Sequence, residues 1–154
     1  MADEAPRLYP AWRQAEKDLL ADGFTYGSLV TQEWLDQAFG ITQPKTIAEF
    51  QKAELVRLRQ FQELRDSLLE NHRILLAPVR GVGYSAVPPE QQTRTALAMR
   101  TKEVKSALSK LAREISHVNL DKLNDAQRQE NADAQAKLGS LRSMVRKQLK
   151  GPAE

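Results

Sequence analysis

Apolar residues recur every three or four positions in the first forty residues of the chain, as they do on one face of an α-helix. The first such stretch predicts a helix over residues 10–21, which ends before Gly23. The second predicts a short helix behind Thr31, whose side chain can cap a helix, with Gly40 as its stop. The apolar positions that support these two helices are Trp12, Ala15, Leu19, Leu20, Trp34, Leu35 and Phe39.

A longer periodic segment follows after a break at residues 42–45. Thr46, with Glu49 three residues later, is a capping-box signature and predicts the start of a helix that runs to about Glu70. Large apolar residues at helical spacing more often fill a core than stack on nucleic-acid bases, so we interpret them as core. They are Trp34, Leu35, Phe39, Phe50 and Phe61.

The pattern changes after His72. Residues 74–77 and 84–87 are short strand-like runs, and the segment between them contains Gly81 and Gly83, which permit the backbone angles of a tight turn. Tyr84 is expected to pack the resulting hairpin against the third helix. The sequence predicts no strand outside this hairpin.

Pro88 and Pro89 predict a boundary, because neither can donate a backbone hydrogen bond. We therefore divide the chain into a domain at 1–88 and a basic helical arm at 89–154. The apolar pattern of the arm predicts two helices that form a helical hairpin or coiled coil, separated by a break at residues 117–124. Asn124, with Gln127 three residues later, predicts the start of the second helix. A heptad seam with alternate spacings of four and three runs through Leu97, Thr101, Val104, Leu108, Leu111, Ile115 and Val118. The predicted oligomerisation residues in this seam are Leu97, Val104, Leu108, Leu111 and Ile115. This seam can pair two chains, or fold back within one chain onto Leu138, Leu141 and Val145.

Charge is distributed unevenly along the chain. Residues 1–45 have a net charge of −3, residues 46–93 are neutral, and residues 94–150 carry 13 basic against 6 acidic side chains, a net charge of +7. A basic segment of this kind suggests a polyanionic partner such as nucleic acid, although a solvated helix face has the same composition.

The composition also restricts the classes of function. The chain has no cysteine, and neither histidine has a neighbour at metal-ligand spacing, so we expect no disulfide and no metal site. No nucleophile motif, paired carboxylates or cofactor fingerprint is present, so we expect no catalytic residues and no cofactor. Without a signal sequence or a long apolar run, a cytoplasmic protein with no membrane contact is expected.

The segment Pro78-Val79-Arg80-Gly81-Val82-Gly83-Tyr84 resembles the wing of the OmpR class of response-regulator output domains, in which a T-V-R-G-V-G-Y-R segment follows the recognition helix. Residues 27–40 are similar to the P-G-x-V-V-S-R-E-x-L-L-x-x-V-W-G stretch of the same class. The resemblance covers about residues 10–88. It implies a mainly α fold, a winged helix-turn-helix with one short β-hairpin. No receiver domain is present, so the implied protein is a stand-alone winged helix of bacterial or phage type.

The resemblance also implies a function and a site. It indicates a binder of double-stranded DNA, such as a transcriptional regulator or a DNA-organising factor. The seam of the arm is expected to pair this binder as a homodimer or higher homo-oligomer. The third helix would lie in the major groove and the hairpin would reach the flanking backbone or minor groove. The candidate DNA-binding residues are Gln51, Lys52, Arg57 and Arg59 on the third helix and Arg80 at the wing.

Two other interpretations stay open at this stage. The neutral balance of residues 46–93 favours a protein-binding adaptor or inhibitor on the same scaffold, because acidic residues such as Glu54, Glu63 and Asp66 would repel phosphates. Alternatively, the basic arm is the nucleic-acid surface and the first domain only organises it.

Overall fold

The computed structural model describes residues 10–148. They are mainly helical, with a small three-stranded antiparallel sheet, and they divide between Gln92 and Thr93 into two compact units. The helices are α1 Ala11–Ala21, α2 Gln32–Ala38, α3 Ile47–His72, α4 Pro89–Ser116 and α5 Asp125–Gln148, and the strands are β1 Leu29–Thr31, β2 Leu75–Val79 and β3 Gly83–Val87.

The predicted helix starts are confirmed by the capping contacts. Thr31 Oγ1 accepts a hydrogen bond from the Trp34 amide at 3.2 Å, at the start of α2. Thr46 Oγ1 accepts from the Glu49 amide at 3.2 Å, at the start of α3. The Glu49 carboxylate accepts from the Lys45 amide at 2.7 Å, which satisfies an amide just before the helix. α3 ends at Arg73, which has the left-handed conformation common at helix ends.

The sheet is larger than the single hairpin that the sequence predicts. β2 and β3 form the predicted hairpin, but β1 also pairs antiparallel with β3, so the strand order is β1-β3-β2. Three residues are too few to show the alternation by which a strand is recognised. β1 thus joins the hairpin to the residues immediately before α2.

The core of the first unit lies where α1, α2, α3 and the sheet meet. Leu35, Leu64 and Leu68 have no exposed surface, and Trp34, Phe61 and Tyr84 pack partly buried against this core. The prediction that Phe50 belongs to the core is wrong, because its side chain is exposed. The first six residues of α3 are all exposed, so the helix begins beyond the surface that α1 and α2 cover.

The second unit is an antiparallel pair of helices. Asn131 of α5 donates to the Ile115 carbonyl near the end of α4 at 3.2 Å, and Val145 near the end of α5 lines one groove with Leu108. Contacts in this order require that the two helices run in opposite directions. The predicted start of α5 is confirmed by a reciprocal capping box between Asn124 and Gln127. Within residues 10–148 no helix combines the length and the apolarity needed to cross a bilayer.

Gly83 is required by the close approach of β1. A Cβ placed there would overlap the Val30 carbonyl oxygen and would lie 2.9 Å from Thr31 Cα, both backbone atoms that cannot rotate away. We expect Gly83→Ala to lower the free energy of unfolding by about 1–3 kcal/mol, as overpacked substitutions do. The measurement is urea denaturation followed by circular dichroism.

Gly139→Ala is the matched control, because a Cβ at that position of α5 meets nothing within 4 Å. Alanine favours a helix over glycine, so the control should be stabilised by about 0.5–1 kcal/mol. Equal stability of Gly83→Ala and the unsubstituted protein would contradict the close packing of β1 on β3.

Candidate nucleic-acid interface

The outward face of α3 carries three of the predicted DNA-binding residues. Leu64 and Leu68 define the core side of the helix, and at about 100° per residue Lys52 and Arg59 lie on the opposite side, with Gln51 beside them. All three are exposed. Lys52 and Arg59 are seven residues apart, so they lie two turns from each other on one face. Neither of the two cations has an ion pair with any residue of the described part of the chain.

Arg57 faces α2 and not the outward side of α3 where a DNA-binding residue is expected. Its guanidinium forms a bidentate pair with Asp36 of α2, with Nε 2.8 Å and Nη2 3.0 Å from the carboxylate oxygens, and it also contacts Glu54. This side chain therefore braces α3 against α2 instead of facing outward with Lys52 and Arg59. No sequence signal identifies Asp36 as its partner, because the two residues lie on different helices.

The electrostatics of this pair follow from its geometry. The hydrogen bonds from Arg57 hold the pKa of Asp36 below its ordinary value, and partial burial opposes the shift without cancelling it. The same hydrogen bonds raise the pKa of Arg57. Both groups stay charged at neutral pH, and the pair is a fixed contact between the two helices.

Both carboxylates in the first half of α3 are occupied within the protein. Glu49 accepts the Lys45 amide, and Glu54 contacts Arg57. The outward face of this half of the helix presents Lys52 and Arg59, and the exposed Glu63, four residues after Arg59, lies on the same face.

Arg80 lies at the exposed tip of the β2–β3 hairpin. Gly81 follows it with a φ of 76°, a left-handed conformation that glycine adopts without strain. The turn is held at its base, because the Val82 carbonyl accepts the Gln32 amide at 3.1 Å. The rings of Tyr84 and Phe61 are 4.2 Å apart between centroids, which confirms that Tyr84 packs the hairpin against α3.

α3 also has an exposed apolar surface that its sequence pattern did not predict. Ile47, Phe50, Leu55 and Leu58 are exposed by 79%, 54%, 69% and 65%. Helical spacing suggested core positions because it reveals which residues share a face, and not how far along the helix that face is covered. The surface surrounds Gln51 and lies next to Lys52 and Arg59.

The predicted oligomerisation residues fall into two groups in the second unit. Leu108 and Ile115 are partly buried, and Leu108 shares a groove with Val145 of α5. Leu97, Val104 and Leu111 are exposed. The seam is therefore divided between a contact within the chain and a free row on α4.

No group of three histidine or acidic side chains within residues 10–148 is arranged to hold a metal ion. No protein-family model, no curated protein and no solved structure matches the chain. The candidate interface is thus defined by its own geometry.

The Arg57–Asp36 pair leads to a prediction about stability and pH. Asp36→Asn should lower the free energy of unfolding at pH 7 by about 1 kcal/mol, because a charge-assisted pair that is about one quarter exposed is lost. Because the pKa of Asp36 is lower in the folded than in the unfolded protein, its contribution is complete above the unfolded value of about 3.9 and falls as pH drops through the folded value.

The check is urea denaturation at a series of pH values from neutral to strongly acidic. The stability difference between Asp36→Asn and the unsubstituted protein should be constant near neutral pH and should shrink at acidic pH. A difference that does not change with pH would show that the carboxylate charge of Asp36 is unimportant for stability.

Proposed function

We propose that the chain is a winged helix-turn-helix protein that binds double-stranded DNA through the outward face of α3 and the β2–β3 hairpin. In this proposal α3 enters the major groove, and Arg80 reaches the flanking phosphates or the minor groove. The expected role is that of a transcriptional regulator or a DNA-organising factor.

The observation that carries the proposal is the order of elements in the first unit. Three helices are followed by a hairpin, as in a winged helix, and β1 adds a third strand that fixes the hairpin beside the start of α2. α1 and α2 support the inner side of α3, and the outer side of its first half is left uncovered. A protruding helix next to a rigid hairpin has the shape that a DNA groove and its edge accept.

Charge supports the same proposal. The exposed cations Lys52, Arg59 and Arg80 are not engaged in ion pairs with the described residues, whereas Glu49 and Glu54 have partners within the protein. Phosphate binding releases counterions, so a small number of correctly placed cations produces a marked dependence on salt. Gln51 is the neighbouring side chain best suited to hydrogen-bond with an adenine edge.

One observation favours a second function, a protein-binding adaptor. Ile47, Phe50, Leu55 and Leu58 place an exposed apolar surface on the same half of α3. Surfaces of this kind are typical of protein interaction sites, whereas a groove of DNA offers apolar contact chiefly through thymine methyl groups. In this alternative the outward half of α3 docks on another protein.

The DNA proposal is tested by fluorescence anisotropy with labelled random-sequence duplex DNA over a salt series. We expect Arg80→Ala to raise Kd by about 3- to 10-fold, and Lys52→Ala with Arg59→Ala to reduce the slope of log Kd against log salt by about 2, one for each phosphate contact. These exposed side chains support no core contact, so the variants should fold.

A matched control for this experiment lies on the arm. Lys102→Ala with Arg113→Ala removes two exposed cations of α4 and should leave the binding curve nearly unchanged. A larger effect of the arm variant than of the α3 variant would make the arm the nucleic-acid surface. Absence of binding at low salt would reject the DNA proposal outright.

The adaptor alternative predicts the opposite dependence on side chains. Leu55→Ser with Leu58→Ser should abolish capture of a partner from a lysate of the source cells, and Lys52→Ala with Arg59→Ala should not, because apolar contact supplies most of the affinity. Crosslinking followed by mass spectrometry identifies the captured protein. Unchanged capture by the leucine variant would exclude this surface as the docking site.

A further inference from the structure

The second unit has an exposed apolar row that the antiparallel pairing of α4 and α5 leaves open. Leu97, Val104 and Leu111 follow one another at intervals of seven residues, and their exposed fractions are 52%, 42% and 42%. Seven residues are nearly two turns, so the row is almost straight and spans about 20 Å of the helix. A row with this spacing fits another long helix that packs alongside it.

α5 extends this apolar surface. Leu141 and Met144 are exposed by 49% and 52%, while Leu138 is buried. Leu111 is three residues after Leu108, and Leu141 is three residues after Leu138. Each is therefore rotated by about 60° in the same sense from a side chain on the inner side of the helix pair.

Because α4 and α5 are antiparallel, the same sense of rotation turns Leu111 and Leu141 toward the same side of the helix pair. The exposed surface thus covers both helices on that side. We call it the apolar face, defined by Leu97, Val104, Leu111, Leu141 and Met144.

We propose that the apolar face binds a second copy of this chain, with the two α4 helices antiparallel about a two-fold axis near Ala107. In this register Val104 of each copy packs against Leu111 of the other. Ala107, a small residue on the same side of α4, meets its own counterpart at the axis and allows the helices to approach closely. The row is therefore complementary to itself when one copy is turned end to end.

Charge complementarity supports a second copy as the occupant. Arg100 and Glu114 flank the row at equal distances on either side of Ala107, so the antiparallel register places Arg100 of one copy opposite Glu114 of the other, twice in each dimer. Arg100 at present pairs with Glu103 at 2.9 Å, an exposed contact that is easily exchanged. Glu114 has no ion pair within residues 10–148.

The basic charge of the arm does not oppose this pairing. Lys110, three residues after Ala107, lies at the edge of the row, but Lys102 and Arg113 lie on the side of α4 opposite the row, at about 100° per residue. Two copies can pair without bringing these last two cations together, and both stay exposed on the outside of the dimer. The inference depends on the second unit alone and is independent of DNA binding.

The first experiment measures the mass of the full chain by chromatography with light scattering over a range of concentrations. We expect a dimer of twice 17.4 kDa, and a shift to monomer in Val104→Asp with Leu111→Asp, a change of two-fold in mass. Both side chains are exposed in the single chain, so circular dichroism should show an unchanged helix content. Leu58→Asp, at a leucine of α3 that is even more exposed, is the control and should stay dimeric.

The second experiment tests the register. Arg100→Glu or Glu114→Arg alone should raise the dimer Kd by about 3- to 10-fold, because each replaces two attractive contacts with two repulsive ones, and the double exchange should restore it. A monomeric unsubstituted chain, or a dimer that tolerates Val104→Asp with Leu111→Asp, overturns the proposal. A dimer in which the double exchange is no better than the single ones overturns the antiparallel register.

Discussion

The first unit depends on the pairing of β1 with β3 at a point where only glycine fits. Gly83 lies against the backbone of Val30 and Thr31, and this close approach attaches the hairpin to the residue that caps α2. The adjacent Tyr84 ring then rests on Phe61 of α3. One short stretch of β3 thereby fixes the hairpin to α2 and to α3. Without it the hairpin would be a two-stranded ribbon with little stability of its own.

The contacts that hold α3 determine which part of the helix is exposed for binding. Leu64 and Leu68 anchor the second half of the helix in the core, and the Arg57–Asp36 pair braces it against α2. The residues before Ala53 extend past these contacts and are exposed on every side. A helix that is held at one end and uncovered at the other is suited to recognition, whatever macromolecule it recognises.

Much of the fold follows from local signals in the sequence. Thr31, Thr46 and Asn124 each make the capping contact that their position predicts, because a cap depends on residues within four positions of each other. β1 could not be predicted in this way, since three residues carry no periodicity and its pairing partner lies more than fifty residues later. Phe50 shows the same limit, because helical spacing reports a shared face and not whether another element covers it.

The candidate site, like the fold, could be predicted only where it depends on local sequence. Lys52, Arg59 and Arg80 are exposed, as charged side chains usually are, but the position of Arg57 depends on a contact with another helix.

The heptad seam of α4 could also be predicted only in part. Its spacing indicates that a helix packs against it. A stripe of apolar residues spaced by four and three is, however, wide enough for two neighbouring helices to contact it. α5 occupies the side of Leu108, which leaves the side of Val104 and Leu111 as an apolar surface that a second helix pair can cover. One seam therefore serves both the fold of the second unit and, in our proposal, its assembly.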